Sequence, residues 1–187
     1  MNYSILFRHH ARSGKYEMIE AVVLVLFPML VAFAGASDLL TMKIGNRVSI
    51  LLITGFIVLA AVNGMPVNEW GLHGLGLVVV FVPCFAFFAA GWMGGGDVKL
   101  LSSIGLWFGF GPILIDFLFL VALLGCILTL SLIVIRTSLV VLPAPLRGQE
   151  WALRLHDAKT GVPYGIAISA AALIVYPWSD WFSVISG

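Results

Sequence analysis

The chain has 187 residues, 61% hydrophobic and only 10% charged, with ten Lys and Arg, nine Asp and Glu, and a formal net charge of +1. Its mean hydropathy of +1.08 excludes an ordinary soluble domain, whose charged fraction lies near a quarter. A spanning helix needs roughly 20 mostly apolar residues, and such runs fill almost the whole length, leaving no room for a separate soluble domain. The composition predicts an all-α, polytopic integral membrane protein, with the lipid bilayer as its first partner and no nucleic acid among the others.

Residues 1–18 read as a polar N-terminal tail carrying Arg8, His9, His10, Arg12 and Lys15. The tail resembles a signal-peptide n-region, but the apolar run after it continues from Ile19 to Gly35 with no small-residue cleavage site before Asp38. It is therefore read as a retained helix, and residues 19–187 as one membrane domain. The first span runs from about Ile19 to Leu40 and carries Asp38 near its end. A short polar break, Thr41-Met42-Lys43-Ile44-Gly45-Asn46-Arg47, leads to a second run, Val48 to Val62. Asn63-Gly64-Met65-Pro66 then opens a loop expected to reach His73, and a third span follows from Leu75 to Ala90.

Next comes Gly91-Trp92-Met93-Gly94-Gly95-Gly96-Asp97-Val98-Lys99, a glycine-packed turn ending in a carboxylate. Gly94, Gly95 and Gly96 are expected to adopt conformations that a side chain would forbid, so that another backbone comes close to Asp97. From Val98 to Ile135 the sequence is apolar apart from Lys99, Asp116 and a few hydroxyls, and Gly109-Phe110-Gly111-Pro112 divides it into a fourth and a fifth span. At about 1.5 Å per residue the fourth is too short to cross a core of about 30 Å unaided. Arg136 to Thr160 reads equally as a solvated linker or as a loop with an interfacial helix, Trp151, Leu155 and Ala158 sharing a face and Glu150 pairing with Arg154 at i, i+4. The sixth span starts near Val162, and Trp178 and Trp181 suit an aromatic belt. Cys84 and Cys126, without metal or redox spacing, are read as small core residues.

Six alternating spans bring the end of span one, the start of span two, the end of span three and the start of span four to one side, so Asp38 and Asp97 share a face. Lys43, Arg47, Lys99, Arg136, Arg147, Arg154 and Lys159 fall on that face and Arg8, Arg12 and Lys15 opposite, which favours the shared face as cytoplasmic. A start at Met18 would remove the conflict with the basic tail. Acids at membrane depth are costly and point to function by default. Two like charges in close contact do not both ionise readily, so one carboxyl keeps its proton beside a charged neighbour. Such a pair supplies the base that activates water and the acid that serves the carbonyl oxygen, with no cofactor and no metal.

Asp38 followed by Lys43-Ile44-Gly45-Asn46, then Gly94-Gly95-Gly96-Asp97-Val98-Lys99, resembles the paired motifs of the type IV prepilin peptidases, and Val162-Pro163-Tyr164-Gly165 looks like their C-terminal segment. The resemblance implies a six-span helical fold with a cytoplasmic-face catalytic cleft. It implies Asp38 and Asp97 as the catalytic pair of a GxGD-type aspartic endopeptidase, with Gly94, Gly95, Gly96, Lys99, Lys43 and Asn46 in supporting places. Prepilins or pseudopilins would be substrates and a pilus assembly machinery a possible neighbour, at the bacterial inner membrane. Two departures matter. The family commonly has Ile-Pro-Asn where this chain has Ile44-Gly45-Asn46, which suggests a more flexible turn. The larger bifunctional members also carry a methylating domain with cysteine pairs, for which there is no room between spans one and two, so the chain looks like the peptidase-only branch serving Flp or Tad pili.

Other readings compete. Asp97 before an apolar helix suits an N-cap. Lys99 suits snorkelling. Asp116 and His73 fall near the opposite face, while Glu150 and Asp157 suit a solvated loop as well as contact with a basic leader. A small proton- or cation-coupled transporter using the same two aspartates is the alternative function, and a packing subunit a third.

Overall fold

The structure is a computed structural model that describes residues 14–138, 148–157, 160–179 and 181. It is all-helical among those residues. The elements are α1 (Gly14–Thr41), α2 (Asn46–Val62), α3 (Val67–Ala89), α4 (Gly95–Phe108), α5 (Pro112–Ser138), α6 (Glu150–His156) and α7 (Tyr164–Val175), followed by a 3₁₀ turn, Tyr176–Trp178. Arg8, His9, His10, Arg12, Arg147, Ala158 and Lys159, to which the sequence reading gave places, lie outside the described residues. Three helices are long and apolar enough to cross a membrane, over Leu24–Thr41, Val67–Ala89 and Pro112–Ser138, and Asn46–Val62 and Tyr164–Trp178 are shorter apolar helices.

Long-range hydrogen bonds fix how the helices alternate. At one end of the bundle, Lys99 Nζ donates to Asn46 Oδ1 at 2.8 Å, the Gly165 amide to Asp38 Oδ2 at 2.8 Å, and Arg154 Nη2 to the Leu40 carbonyl at 2.9 Å. The C-terminus of α1, the N-termini of α2, α4 and α7, and α6 therefore gather there. At the other end the Phe110 amide donates to the Leu72 carbonyl at 2.9 Å, joining the first turns of α3 to the end of α4. This is the alternation expected from the order of the apolar runs.

Helix α4 is the axis. Val98 and every residue from Leu100 to Phe108 are buried, and α2, α3, α5 and α7 all pack against it. A helix enclosed by protein is free of the length that lipid imposes: its 14 residues reach about 21 Å. Its serines are satisfied within the helix, Ser102 Oγ on the Val98 carbonyl and Ser103 Oγ on the Lys99 carbonyl, each at 2.7 Å. Trp107 and Phe108 at its end lie among Phe27, Phe56, Phe117 and Tyr176, with Phe27 stacked on Tyr176 at 4.5 Å between ring centres.

Last-turn carbonyls of a helix lack intrahelical partners, and burial makes that costly. Here side chains supply the missing donors. His73 Nδ1 contacts the Leu106 carbonyl at 2.8 Å, and because a carbonyl only accepts, that nitrogen carries the proton. Trp181 Nε1 donates to the Trp107 carbonyl at 2.9 Å, and Trp107 Nε1 in turn to the Leu52 carbonyl at 2.9 Å.

Several expectations are corrected. The loop from Asn63 to His73 is four residues at most, since α3 starts at Val67 with Pro66 as its N-cap; proline beside a helix start is a beginning, not the middle of a loop. Trp181 is 6% exposed and belongs to the core, whereas Trp178, 69% exposed, has the exposure expected of a belt residue. Cys84 is buried, but Cys126 is exposed on α5. On α6, Glu150 and Arg154 do pair, at 3.6 Å, yet its buried residue is Ala152, with Trp151 and Leu155 half-buried.

Candidate active site

Asp38 stands one turn before the end of α1 and is 6% exposed. Its carboxylate is held from across the bundle, by the backbone N–H of Gly165 in the first turn of α7. The approach is close enough to require glycine. A Cβ on Gly165 would lie 2.8 Å from Asp38 Oδ2, 3.0 Å from Asp38 Cβ and 2.8 Å from Ile44 Cδ1.

Asp97 lies in the first turn of α4, half-buried. It is not the N-cap: Gly94 takes that position, and Asp97, three residues on, turns its carboxylate back toward the Gly94 N–H. An acid there satisfies an orphan donor and meets the positive end of the helix dipole. Asp97 also stands within the electrostatic reach of Asp38. The two acids thus come from the end of α1 and the start of α4 into one place, each facing a backbone N–H.

The glycine run works differently from expectation. Gly94 has φ −71° and Gly95 and Gly96 are already helical; the left-handed residue is Gly91, at φ +77°. The run serves close packing. A Cβ on Gly94 would meet Asp97 Oδ2 at 2.9 Å, one on Gly95 the Phe88 ring at 3.2 Å, and one on Gly96 the Ile44 Cβ at 3.1 Å. Gly96 and Gly165 both press on Ile44, so this one side chain wedges together the α1–α2 loop, the head of α4 and the head of α7.

Lys99 and Asn46 are joined by their hydrogen bond at the exposed rim of this assembly, so Lys99 reaches a partner on α2 rather than extending alone toward lipid. Lys43 contributes backbone: its carbonyl accepts from Ser37 Oγ at 3.0 Å and from Thr41 Oγ1 at 3.2 Å, while its side chain is exposed. Gly45 is extended, at φ −68° and ψ 137°, a conformation open to proline, so the turn does not depend on glycine's flexibility. His73 is buried at the far end against Phe56 and Trp181, and Asp116 is exposed near the start of α5, facing a cleft of ≈ 300 Å³ shared with Ile174 and Trp178. Neither joins the acids. No group of three or more His, Cys, Asp or Glu able to hold a metal occurs among the described residues.

Three residues near the acids, Gly165, Tyr164 and Arg154, were missing from the sequence-derived site. Gly165 and Tyr164 were visible only as part of a C-terminal resemblance, although the alternation of the helices already put the head of α7 beside the acids. Arg154 was read as the partner of Glu150 and as an orientation cation, yet it also binds the Leu40 carbonyl, two residues from Asp38. Arg136 steadies the same region through the carbonyls of Leu155 and Gly161, at 2.8 and 3.0 Å.

A sequence model of the type IV leader peptidase family matches residues 24–133, more than half of the chain. The protein belongs to that family. The matched span holds both acids, the glycine run, Lys99 and Asn46, and stops before α7. Comparison with curated proteins and with solved structures returned no match. Members of the family are aspartic-type prepilin peptidases, so this leader peptidase is an aspartic endopeptidase whose substrates are prepilins. The family and the three long apolar helices agree in making it a membrane protein.

Proposed function

We propose that Asp38 and Asp97 are the catalytic pair of this leader peptidase, and that it cuts the short basic leader from Flp-type prepilins at the cytoplasmic membrane face without methylating the new N-terminus. The observation that carries the pairing is the meeting of two acids from α1 and α4 at one end of the bundle, each beside a backbone N–H. In this reading all six long or apolar helices, α1 to α5 and α7, cross the bilayer, with the seven cations of the sequence count on the cytoplasmic side.

The chemistry follows from like charges sharing a site. The ionised carboxylate takes a proton from water as the water oxygen bonds to the scissile carbonyl carbon. The protonated carboxyl hydrogen-bonds the oxygen that becomes negative. Proton transfer to the leaving nitrogen then accompanies C–N cleavage, which yields a carboxylic acid on the leader and a free amine on the mature pilin. The short link between α1 and α2, residues 42–45, supports a peptidase-only enzyme, and the family match supports peptide hydrolysis over ion transport.

Asp38→Asn and Asp97→Asn, made separately and tested by coexpression with Flp-type prepilins, decide the assignment. Each variant should accumulate in the membrane and cleave nothing. Cleavage by either variant would remove the pair.

A further inference from the structure

An extended peptide entering a cleft at membrane depth brings unpaired backbone groups, and each needs a partner where water is scarce. The catalytic carboxylates are occupied by the reaction and by their own N–H contacts, so further groups must face the substrate.

Tyr164 has the placement for this. Its C-terminal peptide bond is the one whose N–H, that of Gly165, binds Asp38 at 2.8 Å. Its ring crosses to α5 and lies over Gly125, where any Cβ would overlap the hydroxyl and the ring. Pro163, fully buried, precedes it at the N-cap of α7. The residue is thus fixed at both ends, by its peptide against Asp38 and by its ring against a glycine that makes room for it. It is half-buried rather than sealed, and its hydroxyl stands within electrostatic reach of Asp97. No hydrogen bond joins that hydroxyl to another described residue. A purely structural tyrosine packed between two helices is expected to pair its hydroxyl with a nearby carbonyl; this one rests on Gly125 and has no such partner among the described residues.

We propose that the Tyr164 hydroxyl is a substrate-binding group that hydrogen-bonds the main chain of the prepilin beside the scissile peptide. The inference rests on the assignment of Asp38 and Asp97 as the cutting pair. Gly125 is then a specificity feature of the enzyme at one remove: its missing side chain sets where the hydroxyl stands.

The test uses the full-length enzyme in detergent and a synthetic prepilin peptide bearing a basic leader, with kcat and KM measured across pH. Tyr164→Phe keeps the ring and removes one hydroxyl. It should lower kcat/KM about three- to tenfold, chiefly through KM, with unchanged thermal stability and an unchanged pH profile. Gly125→Ala, which displaces the ring, should lower kcat/KM at least as far. Activity of Tyr164→Phe within twofold of wild type would overturn the proposal, as would a loss explained wholly by less folded protein. If Asp38→Asn and Asp97→Asn are inactive while Tyr164→Phe is normal, only the role of Tyr164 fails. If either aspartate variant still cleaves, the cutting pair itself is wrong.

Discussion

The Gly165 amide on α7 donates to the Asp38 carboxylate on α1, 127 positions away along the chain, at 2.8 Å. No local rule produces such a contact; it exists because α7 packs along α1 and presents its first turn to the end of the earlier helix. The amide is a fixed dipole aimed at an acid, and glycine is what lets it come so near. Gly165→Ala should therefore displace Asp38 and lower leader cleavage by at least about a hundredfold, comparable to losing an electrostatic contact in an active site. Membrane levels of the variant, measured alongside cleavage, separate this from a folding defect, since overlap at one residue is expected to cost about 1–3 kcal/mol.

Gly95 and Gly96 are neighbours with different surroundings. The Phe88 ring near Gly95 is the end of a side chain and turns aside, whereas Ile44 Cβ, 3.1 Å from the Cβ that Gly96 would carry, moves only with its backbone. Gly96→Ala should cut cleavage severalfold more than Gly95→Ala, with initial rates per unit of membrane enzyme as the measurement. Equal rates would mean that the α1–α2 loop yields as easily as a ring does.

Gly45 offers the opposite outcome. Its φ of −68° matches the value to which proline is restricted, and nothing lies within 4 Å of the Cβ it would carry. Gly45→Pro should leave cleavage unchanged and raise stability by about 0.4–1 kcal/mol by narrowing the unfolded ensemble. Thermal unfolding in detergent, paired with an activity assay, reads both.

Trp181→Phe leaves the Trp107 carbonyl buried without its side-chain donor. The expected loss of stability is about 1–3 kcal/mol, seen as a lower unfolding temperature. Specific activity below that temperature should be unchanged, because this contact lies at the end of α4 away from the acids.

Much of this was legible in the sequence. Asp38 and Asp97 stand out because carboxylates are rare in apolar surroundings, and counting alternating spans suffices to bring them to one end. The pairing of Glu150 with Arg154 follows from helical spacing alone. The start of α3 was missed because Gly64 and Pro66 signal a turn without saying where it stops, and the tertiary support for its first turns, such as Trp70 set edge-on to Phe56 of α2 at 5.7 Å, is invisible in composition. Trp181 was misplaced because indole suits both a membrane interface and a buried acceptor, and only the buried last-turn carbonyls of α4, which need donors, decide between them. The glycine run was expected to take conformations forbidden to a side chain and so admit another backbone beside Asp97; Gly94, Gly95 and Gly96 instead have ordinary conformations and pack closely on Asp97, Phe88 and Ile44.

The enclosure of α4 bears on how the protein is made. The helices that carry the two acids are synthesised well before α7, and chains emerge N-terminus first at about 5–20 residues per second. Until α7 arrives, Asp38 lacks its Gly165 amide, and until Trp181 arrives the Trp107 carbonyl has no side-chain donor. A nascent chain therefore holds both acids for seconds before their surroundings are complete.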